Sequence, residues 1–376
     1  MTQYLVERLF DGNEWLAQVL LTIDNGRISA MTPDSQASDA TALRGTLVAG
    51  LVDVQVNGGG GVQFNQAPSV ATLAQMAQAH LACGTTSMMP TLITDKFEVM
   101  QQGADAIAAY RKQYPHGSIV GVHFEGPHLS LAKKGMHSAD CIRQITRQDI
   151  DIFCRQDLGQ VLLTVAPETV SPAMITELTE AGVIVSLGHS DASAEQCLAA
   201  FAAGATGTTH LFNAMSQLTG RSPGLVGAAL DSEQVYCGLI VDHHHVHPLN
   251  SRLAIKVKGE QRLMLITDAM APVGSDIDHF FYQGVKVYRQ QNRLTLDNGT
   301  IAGSVLSMIE AVQNTHNDLG FALAQTLNMA SKTPATFLGL EQQLGQLQPG
   351  CVANMLLLND QLAIEQCWLH GELQRF

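Results

Sequence analysis

Short apolar runs alternate with amphipathic Ala-, Leu- and Gln-rich stretches along most of the chain. The runs fall at residues 51–56, 85–91, 118–124, 160–166, 183–187, 207–211, 235–241 and 263–267. Helical stretches lie between most of them, for example 70–82, 172–181 and 194–203, the last followed by Gly204 as a C-cap. A strand covered on both faces has no polar side, so continuous apolar strands separated by helices indicate parallel βα units. Eight such runs predict an α/β fold, a closed (β/α)8 TIM-like barrel rather than an open sheet. After the last run, 285–288 and 293–296 alternate as short strands, with Asn298-Gly299 behind them, and read as a hairpin excursion.

The two ends of the chain follow another rhythm. Residues 19–23 are apolar and β-branched, Asp24-Asn25-Gly26 follows, and 27–31 reads as a second strand. Asn-Gly between two such runs signals a hairpin, because both turn positions take positive φ. Residues 352–358 and 367–369 resemble them, so the ends can pair into one small β-domain.

Composition narrows the classes. The chain has 376 residues, formal net charge −13 and 46% hydrophobic residues, room for a barrel with a small appended domain. The acidic balance argues against nucleic acid or an anionic membrane as partner, yet a local Arg or His cluster can still hold a phosphate. Seven scattered cysteines without a C-x-x-C pair fit a reducing cytosol better than a disulfide framework. No stretch approaches the roughly 20 apolar residues of a membrane span, and no leader pattern opens the chain, so a cytoplasmic protein is expected.

In a barrel, function sits at the C-terminal strand ends. The third run ends His123-Phe124-Glu125-Gly126-Pro127, the fifth Gly188-His189-Ser190, the sixth Thr209-His210-Leu211-Phe212-Asn213 and the eighth Thr267-Asp268-Ala269. Glu125, His189, His210 and Asp268 are therefore expected on one rim. Two imidazoles and one carboxylate make a three-ligand set for a catalytic Zn²⁺ with a position left for water, whose pKa such an ion lowers toward ~7. A further carboxylate can move the protons, and Asp268 is the candidate. Taken singly, each residue has a plainer reading. A strand-end His is usually a hydrogen-bonded structural residue, Glu125 can cap a loop, and Asp268 can cap a helix. Four at strand ends of one predicted barrel favour the metal site.

Other candidates carry less. In His243-His244-His245 with His247, adjacent side chains point in different directions, so one is expected to act on substrate and the rest to be incidental. Asp242 orients a neighbour or caps a turn. Arg221, in a Gly/Pro-bounded loop, has the planar fork that suits phosphate, although most loop arginines are only solvated. Lys133 and Lys134 read as a solvated loop face.

These motifs resemble the N-acetylglucosamine-6-phosphate deacetylase family of the amidohydrolase superfamily. The matching pieces are Asp53 through Gly58, His123 through Pro127, Gly188-His189-Ser190, Thr209 through Met215, Thr267-Asp268-Ala269 and Leu296 through Ser304. The resemblance implies a small β-sandwich from residues 1–47 and 344–376 around a metal-dependent barrel of 48–343. It implies Glu125, His189 and His210 as metal ligands, Asp268 as acid/base, and His137 as the group that polarises the acetyl carbonyl. It implies Met136, His137, Asn213, Ala214, Arg221, His245, Ile301, Ala302 and Gly303 as substrate contacts, with Arg221 and His245 at the phosphate. It also implies a homodimer whose sites borrow from the neighbouring subunit. The expected reaction is hydrolysis of N-acetyl-D-glucosamine 6-phosphate to D-glucosamine 6-phosphate and acetate.

Two departures matter. Gln55 and Asn57 stand where many superfamily members carry H-x-H, so one divalent ion per subunit is expected, Zn²⁺ first and Fe²⁺, Mn²⁺ or Co²⁺ as alternatives. His243 stands where the family usually has Gly, which restricts the backbone and bears on sugar preference. The competing readings are an N-acetylgalactosamine-6-phosphate deacetylase, another cyclic-amide amidohydrolase or nucleobase deaminase, and a non-catalytic sugar-phosphate-binding barrel. A dihydroorotase-like site wants a Lys after the fourth strand, where Thr164-Val165-Ala166-Pro167-Glu168 has none.

Overall fold

Every residue of the first three long barrel strands is buried, which is why these segments read as unbroken apolar runs rather than alternating ones. The computed structural model describes all residues except Ser38 and Gln283. Eight parallel strands lie in sequential order in one sheet. They are β1 (Leu51–Val56), β2 (Thr85–Ile93), β3 (Gly121–Glu125), β4 (Gln160–Val165), β5 (Ile184–Leu187), β6 (Gly207–Thr208), β7 (Tyr236–Leu239) and β8 (Leu263–Leu265). The ring closes just past the strand ends. Asp268 N–H donates to the Gln55 carbonyl at 3.0 Å, and Asn57 N–H to the Ala269 carbonyl at 2.8 Å. Closure thus happens beside the expected chemistry.

Helices cover the outside, and their starts follow local capping chemistry. Ser69 Oγ accepts from Thr72 N–H ahead of Val70–Ala82. Ser171 caps Pro172–Glu180, with Pro at the first turn where its missing N–H costs nothing. Ser193 and Gln196 form a capping box on Ala194–Ala202. Gly204 then takes φ 114°. Among the described residues no helix is long and apolar enough to cross a membrane.

The chain ends do pair. Met355–Leu358 runs antiparallel to Thr41–Ala49, and Thr2–Phe10 lies parallel on the other side of that strand. Asn25 and Gly26 take φ 48° and 74° between Trp15–Asp24 and Arg27–Thr32, as the turn signal requires. The result is one seven-stranded sheet that curls. Its edge strand returns to residues 350–353 through Ile28 N–H to the Cys351 carbonyl and Ala353 N–H to the Gly26 carbonyl, each 2.9 Å. Val6, Leu9, Leu21, Leu47, Met355 and Trp368 form its separate core. Thr2–Phe10 and Thr41–Ala49 escape the pattern reading because their polar and apolar positions are mixed.

The excursion after β8 has three antiparallel strands, His279–Tyr282, Val285–Gln290 and Arg293–Thr295. The reading as a hairpin missed the first, whose alternation of exposed and buried residues is only four residues long.

Trp368 is fully buried and its Nε1–H donates to Tyr4 Oη at 3.1 Å. Trp368→Ala is expected to cost about 3–5 kcal/mol, measured as a lowered urea midpoint.

Candidate active site

Each predicted chemical residue stands where a barrel strand stops. Glu125 is the last residue of β3; His189 and His210 follow β5 and β6, and Asp268 follows β8. The predicted sixth and eighth runs extend further than the observed strands because the chain bends there. His189, His210 and Asp268 take φ 46°, 35° and 52°, a left-handed conformation that costs a non-glycine residue energy and concentrates at functional sites. The bend swings the side chains across the barrel mouth.

Glu125 Oε1 lies 3.2 Å from His189 Nε2 and 3.0 Å from His210 Nε2, and the two nitrogens are 3.0 Å apart. All three residues are buried. His189 Nδ1–H donates to the Lys133 carbonyl at 2.9 Å, which leaves Nε2 as a lone-pair donor. Burial opposes charge on Glu125, but the two imidazoles beside it hold the carboxyl well below the usual range. Three donors thus face one point. Tetrahedral bonds of roughly 2.0–2.1 Å to Zn²⁺ put ligands about 3.3 Å apart, close to this spacing. The donor set is able to bind a metal.

Asp268 sits beside it under two amide donors. Gln55 Nε2 is 3.1 Å from both Asp268 Oδ1 and Glu125 Oε1, and Asn57 Nδ2 is 2.7 Å from Asp268 Oδ1. The amides thus offset, as N–H donors, part of the repulsion between the two carboxylates. Burial, and then the Glu125 charge, raises the Asp268 pKa. Below them Asp53, pushed up to about 7 by burial, accepts from Thr267 and ties β1 to the end of β8.

His137 enters from the loop after β3. That loop is anchored by Arg143, whose guanidinium forks onto buried Asp149, and by His128 Nδ1, 3.0 Å from the Arg143 carbonyl. Burial, then the neighbouring His189, keeps His137 well below the ordinary imidazole range, so it is neutral. Thr94 N–H donates to its Nδ1 at 3.3 Å, so the ring proton is on Nε2, 3.9 Å from Glu125 Oε2.

Asn57, Glu125, His137, His189, His210 and Asp268 line a cavity of about 390 Å³ together with Met136, Asn213, Ala214, His245, Ile301 and Gly303. Two predicted contacts are not brought into it. Arg221 is exposed on its loop and lies outside the lining. The Ala302 side chain packs into the apolar cluster of Met270, Tyr282 and Leu294 instead. Lys133 corrects the reading of a solvated loop face: it lines the cavity, its Nζ is 3.3 Å from Asp191, and its carbonyl holds His189. Ile93 and Ile240 form apolar wall that sequence reasoning missed; Ile93 ends β2, two residues past the predicted run, and Ile240 lies near the end of the seventh run. His243 and His244 lie outside the lining, with Nε2 2.9 Å from Asp318 Oδ2 and 2.9 Å from Asn292 Oδ1 respectively.

The profile of the Amidohydrolase family matches residues 46–373. This chain belongs to that family. Among its relatives, the N-acetylgalactosamine-6-phosphate deacetylase of Shewanella sp. (strain ANA-3) is 49% identical over 88% of this chain and 83% of its own length. The N-acetylglucosamine-6-phosphate deacetylase of Haemophilus influenzae is 38% identical over 82% and 81%. The crystal structure of N-acetylglucosamine-6-phosphate deacetylase from Pasteurella multocida superposes with a TM-score of 0.95 at 37% identity, covering 99% of both chains. The fold of this amidohydrolase is thus shared with a solved deacetylase structure over nearly its whole length.

In this amidohydrolase the Gln55 and Asn57 amides turn N–H donors toward Glu125 and Asp268. The double substitution Gln55→His with Asn57→His removes those donors and supplies lone pairs. It is expected to raise bound divalent metal from one toward two per chain, counted by elemental mass spectrometry.

Proposed function

We propose that this amidohydrolase hydrolyses the acetamide of N-acetyl-D-glucosamine 6-phosphate, giving D-glucosamine 6-phosphate and acetate. The observation that carries the reading is the meeting of Glu125, His189, His210, Asp268 and His137 in one buried cavity. Both curated relatives above bear names of deacetylases of 6-phosphorylated N-acetylhexosamines.

Glu125, His189 and His210 would hold one divalent ion, Zn²⁺ first, with Fe²⁺, Mn²⁺ or Co²⁺ as alternatives. When bound, it supplies a Lewis acid that acidifies water and polarises a carbonyl. Asp268 takes a proton from the attacking water and returns it to the sugar nitrogen as the C–N bond breaks. Both amide contacts fall on its Oδ1, so Oδ2 is the oxygen left to carry that proton. His137 donates Nε2–H to the acetyl oxygen as negative charge builds there. The new C–O bond and the transferred protons account for acetate and a free amine.

At the far end, His245 donates Nδ1–H to Asp242 at 2.6 Å. That carboxylate fixes the ring and leaves Nε2 to meet the phosphate, a contact remote from the reacting carbon. Asn213, Ala214, Met136 and the Ile301–Gly303 backbone embrace the sugar. Arg221 serves the phosphate of a neighbouring subunit's site in a homodimer, which accounts for its exposure here. Seven free cysteines suit the reducing cytoplasm as the place of action.

The galacto epimer is the second reading, favoured by the 49% identity to the Shewanella enzyme. Acetate release from the two 6-phosphates, measured side by side, separates them: a higher kcat/KM for the gluco sugar is expected, and a reversed order transfers the assignment to the galacto sugar. Prolonged chelation is expected to abolish release, and Zn²⁺ to restore it. Asp268→Asn is expected to keep its metal while kcat falls about 10²–10⁴-fold; near-normal kcat refutes the acid/base role.

A further inference from the structure

The histidine run after β7 spreads its three side chains to three different elements. Asp242 organises the turn. Its Oδ1 accepts the His244 and His245 N–H groups, each at 2.9 Å, and its Oδ2 accepts His245 Nδ1–H. His245 is thereby presented to the cavity. His243, at φ 64°, places Nε2 2.9 Å from Asp318 Oδ2, and Asn314 Nδ2 donates to the Val241 carbonyl at 2.8 Å. The turn is thus bolted from behind to the segment Asn314–Asp318.

His244 points the other way. Its Nε2 is 2.9 Å from Asn292 Oδ1, at the tip between Val285–Gln290 and Arg293–Thr295. From that hairpin the chain returns to the cavity as Ile301 and Gly303. Thr295 bridges Ile301, and Ala302 N–H donates to the Leu294 carbonyl at 3.2 Å, so the tip and the cavity wall are parts of one piece. Phe280, Tyr282, Val287 and Leu294 give this piece an apolar cluster separate from the barrel core. The His244–Asn292 hydrogen bond therefore joins the His245 wall of the cavity to the Ile301–Gly303 wall, across 48 residues of chain.

We infer that His244 is a positioning residue, and that its bond to Asn292 latches the hairpin to the His245 turn and keeps the two walls closed on the bound sugar phosphate. The inference rests on the substrate reading above. The latch lies at the rim, whereas Glu125, His189, His210 and Asp268 are held by strand ends at the barrel mouth. Breaking it weakens capture and leaves the chemistry in place.

The test is steady-state acetate release by His244→Ala, Asn292→Ala, the double variant and His244→Gln, with hydrogen–deuterium exchange of residues 285–301 on the same metal-loaded samples. Each alanine variant is expected to raise KM about 3- to 10-fold, the scale of one lost hydrogen bond, with kcat within about twofold and unchanged metal content. The double variant is expected to be no worse than the poorer single, because both remove one contact. His244→Gln keeps an N–H donor and is expected to restore KM. Exchange in 285–301 is expected to quicken in the alanine variants only. Unchanged KM and exchange in both alanine variants, or a loss confined to kcat, overturns the latch. Failure of the unsubstituted enzyme to release acetate from either epimer overturns the substrate reading instead, and the exchange comparison then decides the latch by itself.

Discussion

Two carboxylates buried within reach of a single amide set the terms for the rest of this structure. Gln55 Nε2 sits 3.1 Å from Glu125 Oε1 and 3.1 Å from Asp268 Oδ1. Charges this close in a dry barrel mouth repel unless something cationic or hydrogen-bond-donating stands among them. Imidazoles answer for Glu125, and the Gln55 and Asn57 amides answer for Asp268. The same short stretch of β1 also closes the barrel, through the Gln55 carbonyl and the Asn57 N–H. Fold closure and charge compensation are therefore one local arrangement, and neither can shift without the other.

That arrangement is reached through backbone strain. His189, His210 and Asp268 all bend into the left-handed region at the moment their strands stop. The barrel over-determines these bends: the ladder fixes the strand below each, and the loop above packs against its neighbours. Regular strands carried two residues further would point the same side chains along the barrel wall. His243 shows the same bargain on a smaller scale. A glycine costs least at φ 64°, yet the histidine here makes a hydrogen bond to Asp318 that a glycine cannot. Two backbone groups set proton positions: the Lys133 carbonyl for His189 and the Thr94 N–H for His137.

Much of this was legible in the chain. Eight apolar runs with helices between them identify a barrel because parallel strands have no solvent face to advertise. Asn25-Gly26 marks its hairpin because few other pairs take positive φ twice. Glu125, His189, His210 and Asp268 are readable as a set because strand ends are where a barrel exposes polar groups, and two imidazoles with two carboxylates are expensive there without a purpose. Lys133, expected on a solvated loop face, lines the cavity, and Arg221, expected at the phosphate, is exposed outside it. A loop cation gives no sign of which way it faces, since exposure is decided by segments far away in sequence.

What the sequence by itself determined is therefore the periodic part: barrel class, helix starts, one tight turn and the identity of the chemical residues, all set by interactions within a few positions of each other. Tertiary structure alone decided the one curled sheet made from both chain ends, the third strand of the excursion and the direction of each histidine in the triplet. It also decided which amide compensates which carboxylate. Most of those outcomes depend on distant partners, 48 residues apart for His244 and Asn292, 213 for Gln55 and Asp268 and 364 for Tyr4 and Trp368, and no local pattern encodes a contact that only tertiary folding creates.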